Sequence, residues 1–304
     1  MNAAIPLDSS GRPKFPKNST INGYVNQHFI TNQAKADNLG VCERLQAAGS
    51  PHVGEANVFV SWFLGTPIAT LLDALNQFVA QHGLDPTRTF FWVCDYVIRQ
   101  TDVAADLVHL GKCVAAIGHT VLLLEPWDAP VPLKRSYCLK EVVHTQASRA
   151  KFELVMSTTQ QAAFEAVLGG MADYGEVHRE DFDSIVAAIS AVNVRTAECR
   201  NAKEQAAILS ELEAGVGASE CNAVVVGLMR DQLVKQARTA LDRDLEDIQR
   251  HAVVAAKAGH ACRGGAAVAR GGRGPPQAAW RAARRHVTGS RQLGTAAAGH
   301  GPAD

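Results

Sequence analysis

Residues 119–144, HTVLLLEPWDAPVPLKRSYCLKEVVH, constrain the fold of this chain more than any other stretch. Thr120 to Leu124 (TVLLL) reads as a buried strand, because a run without polar alternation suits a parallel strand covered on both faces. Prolines break the segment from Glu125 to Leu133, and a helix is expected to open near Arg135. That helix carries one acid, Glu141, on its second turn. Ligands of open α/β sheets sit beyond the carboxyl ends of the strands, where this loop and helix start belong.

The chain around it repeats the pattern. Asn57 to Trp62 (NVFVSW) reads as a first strand. A helix follows with Thr66 as N-cap, Pro67 at the first helical position and Gly83 past the end. Ile68, Leu71, Leu72, Leu75, Phe78 and Val79 are expected on its buried face. Phe90 to Cys94 (FFWVC) reads as strand two, ending at Asp95. Leu107, Leu110, Val114 and Ile117 form one helical stripe closed by Gly118, and Phe152 to Met156 reads as strand four. Strand and helix in alternation imply βαβ units, hence an α/β, flavodoxin-like, mostly parallel sheet. Helices are expected near 158–168, 181–191, 202–214 and 219–243, the last with Asn222, Val226, Met229, Leu233, Ala237 and Ala240 on one stripe.

Tyr137-Cys138-Leu139-Lys140-Glu141-Val142 resembles the Trp-Cys-x-x-Glu-Leu signature of Toll/interleukin-1 receptor (TIR) domains, with tyrosine for tryptophan and valine for leucine. The resemblance spans roughly residues 54–157. Phe59 and Ser61 fall where the family has Phe and Ser, and Asp95 where it has an acid ending strand two. The whole arrangement is similar to TIR-like modules found ahead of kinesin-light-chain-type tetratricopeptide repeats in algal and protist proteins, although no such repeat is visible here. The resemblance implies an intracellular signalling module acting through protein partners or self-association. It also implies an alternative: an enzyme that takes NAD as substrate and cleaves its nicotinamide–ribose bond. Glu141 would then be the catalytic carboxylate, with Ser61, Trp62, Asp95 and Trp127 lining the nucleotide site. The loop Tyr96-Val97-Ile98-Arg99-Gln100 lacks the glycine and proline of the family's corresponding loop, a departure that bears on nucleotide binding and not on the fold.

Other chemistries are weaker. Asp95, Asp102, Asp106, Glu125 and Asp128 would have to converge with Glu141 to hold a divalent metal, whereas such acids are usually solvated or cap helices; no metal is expected. Cys138 and His144, six residues apart on one helix, lie on different faces and cannot pair as nucleophile and base. Trp127 and Trp92 read as core or loop anchors, the other reading of Trp127 being a platform for a nucleotide ring. Seven scattered cysteines without a C-x-x-C point to reduced thiols in a cytoplasmic protein.

Five segments result: a disordered lead (1–20), a helical arm (21–53) with a weak helical pattern around Leu39, Cys42 and Leu45 stopped by Gly49, the α/β domain (54–157), a helical extension (158–250) and a basic tail (251–304). The tail holds eight basic residues against one acid, leaving 22 basic and 29 acidic groups in the rest. Rich in Gly, Ala and Arg, it reads either as disordered or as coding sequence read out of frame. Its one aromatic residue, Trp280, gives no basis for specific nucleic-acid recognition. No apolar run is long enough for a membrane span.

Overall fold

The computed structural model describes residues 32–99, 101, 103–174 and 179–263. The lead, the first part of the arm and the tail beyond Arg263 lie outside the described residues. Four strands, β1 (Val58–Ser61), β2 (Phe91–Trp92), β3 (His119–Leu123) and β4 (Lys151–Val155), form one sheet in the order β2-β1-β3-β4. All neighbours are parallel, with Phe59 opposite Thr120, Ser61 opposite Leu122 and Thr120 opposite Phe152. The chain leaves β1 toward β2, then crosses back to β3. The carboxyl ends of β1 and β3 therefore frame the topological switch point, the ligand position of doubly wound sheets.

Alternation along the strands divides the core. Val58, Val60, Val121 and Leu123 pack with Leu71, Ala74, Leu75 and Phe78 of α3 (Ile68–Gln81). On the other face, Leu122, Leu124, Phe152 and Leu154 pack with Leu139 and Val142 of α7 (Ser136–Ala147), while Phe59 and Trp92 meet Leu110 and Val114 of α6 (Leu110–Ile117). Adjacent side chains of a strand point to opposite faces, and both faces are covered; hence the unbroken apolar runs.

Several local expectations shift. Pro67, with ψ 136°, takes the N-cap position, so α3 starts at Ile68 and not at Pro67. Its buried stripe is Leu71, Ala74, Leu75 and Phe78, and Leu72 is 54 % exposed. Strand two shortens to Phe91–Trp92 because Cys94 opens a short helix, α4 (Cys94–Val97). Asn57 lies outside the ladder and brackets the turn instead: its Nδ2 donates to the Arg88 carbonyl (2.7 Å) and its Oδ1 accepts from Phe90 N–H (3.1 Å). The 107–117 stripe divides into α5 (Val103–Leu107) and α6, and Gly118 ends α6 at φ 71°, where glycine is favoured. In the arm, α1 (Asn32–Asp37) and α2 (Val41–Ala47) precede Gly49, and a side chain at Gly40 would meet the Val97 carbonyl at 2.8 Å, so the arm packs close to α4.

The extension is helical: α8 (Thr158–Tyr174), α9 (Arg179–Ser190), α10 (Ala202–Gly215) and α11 (Ala218–Arg263). Asn201 caps α10, its side chain accepting from Lys203 N–H at 2.8 Å. Of the expected stripe of α11, Met229 and Ala240 are buried and Val226, Leu233 and Ala237 are partly buried, with Cys221 and Val225 added to the buried face, while Asn222 accepts a hydrogen bond from Val194 N–H (2.9 Å). α11 continues past residue 250, where composition places the start of the tail. The chain divides after Arg238 into two compact units, the second beginning at Thr239.

Candidate functional site around Glu141

Ser61 is the last residue of β1 and, by strand alternation, faces the same side as Phe59, toward α7. Glu141 lies on the second turn of α7. The Ser61 hydroxyl donates to Glu141 Oε2 at 2.5 Å across 80 residues of sequence. Ser61 is fully buried and Glu141 is 8 % exposed. Burial pushes the Glu141 carboxyl up from 4.5 to about 8; the Ser61 hydrogen bond and the Lys140 charge pull the other way without overcoming it. At neutral pH this is a largely protonated acid at the switch point of the sheet.

Its surroundings are cysteine- and tryptophan-rich. The Cys138 thiol, one turn before Glu141, donates to the Trp62 carbonyl (3.5 Å), and burial beside the Glu141 carboxyl pushes that thiol far up. Burial, Asp95 and Glu141 push Cys94 well above the ordinary thiol range. The Trp62 indole is buried and its Nε1 has no oxygen or nitrogen partner; the Cys94 sulfur is the polar atom it influences. Asp95, in the first turn of α4, is buried as well. Ser61 and Glu141 meet directly, Cys138 reaches the Trp62 carbonyl beside them, and Cys94 feels both Asp95 and Glu141, while the Trp62 ring packs on the α3 face of the sheet. Cys94 was not singled out as a site residue from the sequence; its one signal is its place next to Asp95 at the end of strand two.

Trp127 is elsewhere. It packs edge-on against Phe164 of α8 with ring centroids 5.2 Å apart, and its backbone N–H donates to Gln160 (2.8 Å). A ring buried in this way is an anchor, the first of the two readings the sequence allowed. The acids do not converge either. Asp106 is held by Arg99 at 2.5 Å, and Glu125 accepts from Ser157 at 3.1 Å. Asp102 lies outside the described residues, and among those described no three His, Cys, Asp or Glu groups can hold a metal. His144 pairs with Glu211 (3.0 Å), away from Cys138. A groove of about 510 Å³ beside Val79, Leu84 and Phe91 opens at the amino end of β2, the opposite end of the sheet from Ser61.

Compared with protein-family models, curated proteins and solved structures, the chain matches none. Among the described residues no single helix is long and apolar enough to cross a membrane.

Proposed function

We propose that the chain is a TIR-like signalling module that cleaves the nicotinamide–ribose bond of NAD, with Glu141 as the catalytic carboxylate. One observation carries this reading: Glu141 is turned inward to the switch point, buried and hydrogen-bonded to Ser61 at the end of β1. In the reaction, nicotinamide leaves with the electron pair of the C1′–N bond and the ribosyl carbon becomes an oxocarbenium-like cation. Ionised Glu141 stabilises that charge, water adds at C1′, and its proton is released. The carboxyl pushed up to about 8 sets the pH response: activity that needs the carboxylate rises with pH and levels off above about 8.

Incubation of the purified protein with NAD, followed by chromatographic measurement of nicotinamide, tests the proposal. Wild type is expected to release nicotinamide, and Glu141→Gln to lose about 100-fold or more of the rate. Absence of release by wild type, or an equal rate in the variant, overturns it.

A second reading is favoured by the burial of the same residues. A sealed pair lets the fold stand as a protein-interaction module of the cytoplasm, acting through partners or self-association without turnover. Sedimentation over a range of concentrations tests it; a strict monomer that captures no partner speaks against it.

A further inference from the structure

The cover of the Glu141 site is not uniform in strength. Below it, α7 is fixed in the core by Leu139 and Val142. The turn after β1 continues directly from Ser61 and Trp62. Phe63 follows Trp62, its carbonyl accepts from Thr66 N–H (2.9 Å), and its ring folds back over Gly65, where any side chain would collide with it. The guanidinium of Arg135, the residue before α7, lies over that ring, with Cζ 5.1 Å from the centroid. Arg135 Nη1 in turn donates to Glu198 Oε2 at 2.8 Å. Glu198 belongs to the segment between α9 and α10, and its side chain is 67 % exposed. Its backbone is stitched to the same place: Ser136 N–H donates to the Glu198 carbonyl (2.9 Å) and Glu198 N–H to the Lys134 carbonyl (2.7 Å). The Arg135 charge also acts on the Cys138 thiol, which donates to the carbonyl of Trp62, the residue before Phe63.

We propose that the Phe63–Arg135 stack is the gate of the Ser61–Glu141 site, latched from the helical extension by Glu198. This assigns the extension a regulatory role at the site and, as a control of turnover, rests on the NAD reading. The latch is an exposed ion pair, weak and screened by salt, whereas moving α7 would disrupt the core. The gate is therefore where the buried pair opens first. Any partner or modification that draws Glu198 away frees Arg135, which then faces the diphosphate of an entering dinucleotide.

Thiol labelling read by mass spectrometry tests the gate without using NAD. Cys138 reports opening; Cys221, fully buried on α11, reports global unfolding. Glu198→Gln is expected to speed Cys138 labelling about two- to five-fold, the population shift that loss of one exposed ion pair permits. Added salt should speed wild type toward the variant and leave the variant unchanged. Gly65→Ala, which displaces the Phe63 ring and leaves the ion pair in place, should also speed Cys138. Unchanged Cys138 labelling in both variants, or Cys138 and Cys221 rising together, overturns the gate. Faster labelling without nicotinamide release in any variant leaves the gate standing and removes the NAD reading.

Discussion

Glu141 makes part of the stability of the chain depend on one proton. The folded state holds that proton up to about pH 8, and the unfolded state releases it near 4.5. Below 4.5 both states are protonated. Between the two values unfolding releases a proton, so stability falls as pH rises, by at most about 1.4 kcal/mol per pH unit. Above about 8 both states are ionised and the loss levels off. Glutamine does not titrate and still accepts from Ser61. Glu141→Gln should therefore melt close to wild type at pH 4.5 and progressively above it toward pH 8, by calorimetry; a constant difference across that range contradicts the burial of the acid. The juxtaposition of Ser61 and Glu141 was legible in sequence only through the family resemblance, since the two are 80 residues apart and composition does not pair them. The two readings of Trp127 stayed open in the sequence because a tryptophan in a proline-rich loop gives no sign of which side its ring faces.

At the scale of elements, α7 is the unusual one. It is buried on two sides, by the sheet through Glu141 and by α10 through Lys140, which is 7 % exposed and donates to Glu211 at 2.7 Å. The Tyr137 hydroxyl reaches Glu204 of α10 at 3.1 Å, and the Gly111 position on α6 leaves room for the His144 ring, 2.9 Å from where a Cβ would stand. Removing Glu211, itself about half exposed, strands the buried Lys140 ammonium. Glu211→Ala should cost about 1–3 kcal/mol in chemical denaturation, and adding Lys140→Met should recover much of it. An equal loss in single and double variants would mean that Glu211 acts through packing. A helix was expected near 202–214, where α10 lies, but its docking on α7 was not readable. Contacts separated by some 70 residues leave no periodicity in a sequence.

For the molecule as a whole, strand–helix alternation was sufficient for the parallel sheet. Each apolar run marks a strand covered on both faces, and Gly118 marks a helix end through its φ of 71°. Strand lengths were less legible, because Asn57 and Cys94 end the pairing through side-chain hydrogen bonds and a helix start that apolar runs do not encode. The strand order puts β3 between β1 and β4, wholly inside the sheet, and β2 at an edge with two residues. Hydrogen exchange should accordingly be slowest at Val121 to Leu123 and faster at Phe91 and Trp92. The reverse order would contradict the topology. The pH response and the stability profile of this chain both depend on the burial of the Glu141 carboxyl between the sheet and α7. Carbon-13 NMR titration of the Glu141 side chain measures this directly: a midpoint near 8 is predicted, moving higher in Ser61→Ala because the hydroxyl favours the ionised form. A midpoint near 4.5, unmoved by that substitution, would contradict the account.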